Sequence, residues 1–163
     1  EAIYAPLLLP DAAQLVLQLD ATQLASAPVI GGRHYQSEWF IQNAGRSSEG
    51  VYATGPLVEG PQVESLLAGY ERQFGTRSTN VVAVAHGYDA TRLVLDAIQA
   101  VASVNADGEL QIGRRALRDA LYATSGSEGV SGVLTCTAWG DCSGGRIAVL
   151  QVQGGEWVPV FIP

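Results

Sequence analysis

The sequence predicts an α/β fold in which helices pack against a parallel β-sheet. Three observations support this prediction. Short apolar segments alternate with amphipathic helical segments through residues 1–54, a proline opens the first helical segment, and a Gly-Gly pair ends the second strand. Strand–helix alternation of this kind builds parallel sheets whose ligands bind beyond the carboxyl ends of the strands. The residues after Tyr4 and after Ile30 are therefore the first places to look for function.

The first third of the chain contains three predicted strands and two predicted helices. Pro10 and Asp11 mark the start of the first helix, since proline is tolerated in a first turn and an acidic residue suits the positive helix end. Apolar residues then recur at helical spacing from Ala12 to Leu19. The remaining predicted elements are a strand over 28–30, a helix over 37–44 and a strand over 50–54.

The middle of the chain is predicted to be helical. Pro61 opens a helix whose apolar side chains are expected to pack inward, and Gly75 ends it. A long helical pattern follows over 81–103, with apolar residues on enough of its circumference to predict burial on more than one side. A turn over 105–108 and a short helix over 114–123 complete this region.

The last segment changes to strand periodicity. Strands are predicted over 130–135, 147–152 and 157–161, with 147–152 expected to pair with 130–135 and a tight turn at Gly154-Gly155. Cys136 and Cys142 lie on either side of a Gly-Asp turn, so a disulfide across a hairpin is the preferred interpretation. The alternative is a pair of free thiols in a reducing compartment. A disulfide would indicate an oxidising compartment.

Composition and motifs exclude several functions. The formal net charge is -7 and all nine basic residues are arginine, which argues against nucleic acid as a partner. The segment around Ser127 follows a helix rather than a strand, so it is not a nucleophile elbow. No dinucleotide or phosphate-binding glycine motif occurs. We therefore predict a protein that is not an enzyme, with no catalytic residue, no cofactor and no metal site. No apolar run approaches the roughly 20 residues needed to cross a bilayer.

The predicted ligand contacts lie after the first two strands and near the start of the long helix. Arg33 could hold a carboxylate through two parallel N–H bonds, although a surface ion pair is the alternative. His86 could donate to a ligand from a helix N-terminal turn, or could simply be a packing residue. Tyr4 is expected to point into the core. The full set of predicted contacts is Ala5, Pro6, Leu7, Gly32, Arg33, His34 and His86.

Five segments occur in the order and spacing of a known receptor family. They are AIYAPLLLPDAAQLVLQL, PVIGG, AGRSSEGVYATGP, AHGYDATRLVLDAIQAV and GVSGVLTCTAWGDCSGGRIAVLQV. Together they resemble the C-terminal half of a type I periplasmic solute-binding protein of the branched-chain amino-acid type. The resemblance implies a Rossmann-like, two-lobe fold with a C-terminal β-hairpin. Residues 1–54 and 136–163 would lie in the C-terminal lobe, 58–128 in the N-terminal lobe, and 50–57 and 129–135 would cross between them.

The resemblance also implies a function. It implies the extracytoplasmic component of an ABC importer, which binds an amino acid or related carboxylate between its lobes and docks on a membrane permease. A ligand-sensing ectodomain of a signalling receptor is the alternative. The location would be periplasmic or extracellular, with a lipid anchor on a preceding segment.

Two positions depart from the family pattern. Arg33 stands where amino-acid receptors of the family have an acidic residue for the ligand ammonium group. Ala5, Pro6 and Leu7 stand where an aromatic residue is frequent, which predicts a roomier site or an apolar ligand portion. Because strands from an N-terminal half would be needed to complete each lobe, self-association or pairing with that half is expected.

Overall fold

The computed structural model describes residues 1–143 and 145–163. The helices are α1 (Asp11–Leu19), α2 (Glu38–Ala44), α3 (Pro61–Phe74), α4 (Val81–Val101) and α5 (Arg114–Tyr122). The strands are β1 (Ile3–Tyr4), β2 (Val29–Gly31), β3 (Tyr52–Leu57), β4 (Ser103–Val104), β5 (Leu110–Gln111), β6 (Ser127–Glu128), β7 (Val133–Cys136), β8 (Cys142–Ser143), β9 (Arg146–Gln153) and β10 (Glu156–Phe161). Two 3₁₀ turns cover Arg33–Tyr35 and Gly45–Ser48.

The chain forms two compact units. The first comprises Glu1–Leu57 and Arg146–Pro163, and the second comprises Val58–Gly145. Residues 129–135, predicted as a crossing segment, and residues 136–145, predicted for the same lobe as 1–54, both lie in the second unit. The assignment of the units to the lobes of a receptor stays a prediction.

The first unit is built on a five-stranded mixed sheet with the order β1-β2-β3-β9-β10. Strands β1, β2 and β3 are parallel, and β9 and β10 continue the sheet in antiparallel pairs. The predicted α/β fold with a parallel sheet and a C-terminal hairpin is confirmed. The carboxyl ends of the three parallel strands therefore lie along one edge of the sheet.

Helices α1 and α2 pack together over this sheet and form its main core. Ala12 and Val16 of α1 and Phe40 of α2 are buried against Val29 and Ala53 of the strands. The helix boundaries follow local chemistry, since the first turn of α2 is capped by a serine whose hydroxyl accepts a hydrogen bond from the backbone N–H three residues later, at 3.2 Å.

The second unit is mainly helical. Its longest elements are α3 and α4, while its strands are two to four residues long and, among the described residues, pair with one another as β4–β5 and β6–β7–β8. Pro61 occupies the first turn of α3, and Gly75 ends the helix in the left-handed conformation that favours glycine, with φ 72°. In the part of this unit that the structure describes, the helices thus form a layer without an extended sheet of their own.

Cys136 and Cys142 form the predicted disulfide. They are directly opposite each other in the β7–β8 pair. The predicted pairing of 130–135 with 147–152 is wrong, because the short disulfide-closed hairpin supplies the partner of β7. Strand β9 pairs with β3 and β10 instead.

Three orientation predictions are corrected. Tyr4 points away from the core and is 70% exposed, because β1 is an edge strand whose inward positions are Ile3 and Ala5. Phe74 at the end of α3 is 63% exposed rather than packed inward. The long helix α4 buries Ala85, Asp89 and Ala97 but leaves other apolar side chains exposed, so the described residues do not enclose it on several sides.

Candidate functional site

The structure brings six of the seven predicted ligand contacts to one edge of the first unit. Strands β1 and β2 pair in parallel with Tyr4 opposite Ile30, and the backbone N–H of Ala5 donates to the Ile30 carbonyl at 2.9 Å. The segments that follow each strand therefore lie side by side. These segments are Ala5–Leu7 after β1 and Gly32–His34 after β2.

Tyr35 packs beneath this pair of segments. Its ring is buried and lies 5.0 Å from that of Phe40, measured between ring centroids. Burial raises the pKa of the Tyr35 phenol, while the nearby backbone N–H of Leu7 lowers it. The Tyr35 hydroxyl is buried without a hydrogen-bond partner among the described residues, so the packing of the ring, rather than a hydrogen bond, holds Tyr35 in place.

The two glycines that end β2 have different structural roles. A methyl group at Gly31 would overlap the Tyr35 ring, so the packing of the chain itself requires glycine there. Gly32 has φ -85° and ψ -175°, which is extended backbone, and an added methyl group would meet nothing within 4 Å. The internal packing of the described chain therefore explains Gly31 but does not explain Gly32.

Arg33 and His34 form the exposed start of the 3₁₀ turn after β2. Within residues 1–143 and 145–163, Arg33 makes no ion pair with an acidic side chain. The surface ion pair that was the alternative for this residue is thus not formed with the described residues. Its guanidinium is available to an external anion.

The third parallel strand also contributes to this edge. The amide of Gln36 donates to the Pro56 carbonyl at 3.4 Å, and a side chain at Gly55 would overlap Gln36. The position that a Gly55 Cβ would occupy is also 3.4 Å from the Cβ of Arg33. The turn that carries Arg33 thus lies close to β3 at Gly55, although a methyl group there would displace only the flexible end of Gln36. A glycine inside a strand is a recognised sign of such a close approach, so the sequence held a signal for this contact.

The seventh predicted contact, His86, belongs to the second unit. It lies on α4 and is half-buried, and its Nε2 atom is buried without a hydrogen-bond partner among the described residues. Its role as a ligand contact stays a prediction.

A buried carboxyl group in the second unit was not predicted as a tertiary contact. Asp89 on α4 is 3% exposed and accepts hydrogen bonds from the backbone N–H groups of Val130 and Ser131, at 2.8 and 2.7 Å. The Ser131 hydroxyl donates a third bond at 2.6 Å. A Cβ at Gly129 would lie 2.6 Å from the Asp89 Oδ2 atom, so glycine is needed at that position for the contact. This cluster, Asp89 with residues 129–131, anchors the segment before β7 to α4.

No protein-family model matches the sequence, and no curated protein matches it either. Several solved structures do match this chain. A leucine-binding protein of Thermotoga maritima is 23% identical over 99% of this chain and 44% of its own, with TM-score 0.76. A putative branched-chain amino-acid ABC transporter protein of Rhodospirillum rubrum is 29% identical over 98% of this chain and 44% of its own, with TM-score 0.72. An ABC transporter solute-binding protein of R. palustris in complex with benzoate is 17% identical over 99% of this chain and 42% of its own, with TM-score 0.70.

These likenesses confirm the predicted resemblance to type I periplasmic solute-binding proteins at the level of the fold. The chain spans less than half the length of the solved structures that it matches. The matched structures are binding proteins rather than enzymes. No helix in the described part of the chain is long and apolar enough to cross a membrane.

Proposed function

We propose that this chain is the C-terminal half of an extracytoplasmic solute-binding receptor of an ABC importer. Its ligand would be a small organic carboxylate, such as an amino acid or an aromatic acid, held between two lobes that close on it and then dock on a membrane permease. Two of the similar structures are named for carboxylate ligands, leucine and benzoate. The Cys136–Cys142 disulfide supports a location outside the cytoplasm, where a lipid anchor on a preceding segment would tether the receptor.

The observation that carries the proposal is the position of Arg33. This exposed residue lies two positions after the end of the parallel strand β2, makes no ion pair with the described acidic side chains, and adjoins the open space above Gly32. Arginine presents its N–H groups in a planar fork that matches the two oxygens of a carboxylate. A glycine backbone beside it lets a ligand approach closely. Binding of one carboxylate ligand would account for both Arg33 and Gly32.

The test is calorimetric titration of the intact receptor with the carboxylate that stabilises it best in a thermal-shift screen. Arg33→Ala should weaken binding about 10- to 150-fold, because a hydrogen-bonded charged contact contributes roughly 1.5–3 kcal/mol. Arg46→Ala is the matched control. Arg46 is exposed in the 3₁₀ turn that precedes β3, where strands begin rather than end, so its removal should leave the affinity unchanged.

A neutral analogue of the same ligand separates carboxylate recognition from general charge effects. The primary amide of the ligand should bind the wild-type receptor weakly, and Arg33→Ala should weaken that binding little further, since the two changes remove the same contact. Unchanged carboxylate affinity in Arg33→Ala would exclude Arg33 from the site. Equal losses for the acid and the amide would show that Arg33 does not recognise the carboxylate.

A further inference from the structure

The tip of the disulfide-closed hairpin in the second unit holds a tryptophan in solvent. Trp139 lies in the turn between Cys136 and Cys142 and is 89% exposed, the largest exposed fraction among the large apolar side chains of the described chain. The disulfide restricts this turn, and a restricted loop loses less conformational entropy when it binds. The hairpin therefore presents a large, partly apolar ring on a backbone of limited freedom.

The hairpin tip packs against the end of α5. A Cβ at Gly140 would lie 2.9 Å from atoms of the Tyr122 side chain, and Gly140 has φ 88°, so glycine suits both the contact and the backbone conformation. The backbone N–H of Cys136 also donates to the Thr124 carbonyl at 2.9 Å. The turn that carries Trp139 therefore lies beside Tyr122, whose own ring remains exposed.

Arginines share this part of α5. Arg114, Arg118 and Tyr122 recur at intervals of four residues, which places them on one face of the helix. The Arg118 guanidinium lies 6.0 Å from the centroid of the Tyr122 ring. Arg115 and Arg118 both contact Asp119, at 3.6 and 2.8 Å. With three arginines and one aspartate, α5 has a net charge of +2.

The charge of α5 contrasts with that of the whole chain. The formal net charge of the chain is -7, yet three of its nine basic residues lie within positions 114–118. All three are exposed, and Arg114 makes no ion pair with a described acidic side chain. Charges are screened over about 8 Å at physiological ionic strength, so a partner here meets the arginines rather than the net charge. We call Arg114, Arg115, Arg118, Tyr122 and Trp139 the arginine–aromatic surface.

We infer that the arginine–aromatic surface contacts the head-group layer of an anionic membrane. Tryptophan and tyrosine are enriched at membrane–water interfaces, because their rings are apolar and carry one polar group. Arginine binds phosphate through paired N–H groups. A single ring on a narrow hairpin enters a head-group layer without a preformed pocket, which favours lipid over a folded acidic protein. The inference rests on the membrane-tethered location proposed above, where this contact would hold the receptor against the bilayer.

Co-sedimentation of the intact receptor with vesicles, without its lipid anchor, tests this inference. Phosphatidylcholine vesicles with about 30 mol % phosphatidylglycerol supply the anionic surface, and pure phosphatidylcholine supplies the neutral one. We expect binding to the anionic vesicles that weakens as salt is added. Replacing Arg114, Arg115 and Arg118 together with glutamine should weaken this binding at least about 10-fold. Trp139→Ala should weaken it about 5-fold or more, because the ring no longer enters the interface.

Matched variants control for the loss of charge and of an indole. Arg46, Arg72 and Arg92 lie outside the arginine–aromatic surface, and their joint replacement with glutamine removes the same charge. Trp39→Ala removes another exposed tryptophan. Both variants should bind the anionic vesicles like the wild-type receptor. At saturating vesicle concentration, the blue shift of tryptophan emission should persist in Trp39→Ala and disappear in Trp139→Ala.

Other outcomes would overturn the inference. These are equal binding to anionic and neutral vesicles, or equal binding by the wild type and the Arg114, Arg115 and Arg118 variant. Failure of acrylamide to quench Trp139 without vesicles would also overturn it, since another part of the receptor would then cover the ring. Binding to bilayers that contain the permease, with none to lipid alone, would replace the lipid with an acidic protein surface. The assay needs no carboxylate ligand, so its failure is distinct from failure of the proposed ligand site.

Discussion

The buried Asp89 cluster offers a stability prediction that can be worked from the structure. Asp89→Ala removes the acceptor of three hydrogen bonds and leaves the N–H groups of Val130 and Ser131 and the Ser131 hydroxyl without their partner. Each buried donor left unpaired costs about 1 kcal/mol or more, so we expect the free energy of unfolding to fall by about 3–5 kcal/mol. Ser131→Ala removes only one of the bonds and should cost about 1 kcal/mol.

Urea unfolding measures these losses as shifts of the transition midpoint. Asp96→Ala is the matched control, because Asp96 lies on the same helix, is exposed, and makes one long ion pair with Arg92 at 4.0 Å. It should change stability by less than about 0.5 kcal/mol. Amide hydrogen exchange at Val130 and Ser131 should accelerate in Asp89→Ala alone. Equal midpoint shifts for Asp89→Ala and Asp96→Ala, with unchanged exchange at these amides, would refute the reasoning.

Three further predictions concern packing, the disulfide and pH. Gly31→Ala should lower the free energy of unfolding by about 1–3 kcal/mol, and with it the thermal midpoint, because the added methyl group overlaps the Tyr35 ring. Gly32→Ala should leave the thermal midpoint unchanged. Equal midpoints in the two variants would contradict this prediction. Replacing Cys136 and Cys142 with alanine should lower the free energy of unfolding by about 2 kcal/mol, because the disulfide closes a loop with a sequence separation of 6 and so restricts the unfolded chain. An unchanged midpoint in urea unfolding would contradict this. Burial raises the pKa of Tyr35, so as the pH increases the phenol loses its proton in the unfolded state before it does so in the folded state. The free energy of unfolding, measured in urea, should therefore fall as the pH rises above about 10. A Tyr35→Phe variant with the same decline would rule out Tyr35 as its source.

The helices were predictable because their boundaries rest on local chemistry. The start of α3 at Pro61 and its end at Gly75 depend on backbone conformations that those two residues prefer. The same holds for the C-terminal hairpin, whose turn is Gly154-Gly155. Such signals operate within a few residues and do not depend on the rest of the fold.

Strand pairing and side-chain direction were less predictable. The partner of β7 is decided by competition between β8, which the disulfide hairpin places beside it, and the more distant β9. The direction of Tyr4 depends on a register that a two-residue strand cannot specify, since a shift of one residue reverses every side chain. Neither the partner of β7 nor the register of β1 can be determined from the periodicity of the sequence alone.

The candidate site was predictable in outline. Parallel topology alone places Ala5–Leu7 beside Gly32–His34, because both segments follow neighbouring strands. The contribution of Gly55 to this edge could not be predicted, because it depends on a contact with Gln36, which is distant in the sequence. The Asp89 cluster likewise joins a helix to a segment about 40 residues later, and a single acidic residue on a helix gives no sign of such a partner.

The central claim is that Arg33 binds the carboxylate of a ligand at the carboxyl edge of the parallel strands. A crystal structure of the intact receptor, grown with the carboxylate that raises its melting temperature most, tests this claim most directly. We predict Arg33 N–H groups about 2.7–2.9 Å from the ligand carboxylate oxygens, with the ligand packed over Gly32. A ligand bound elsewhere, with the Arg33 guanidinium left in solvent, would contradict it.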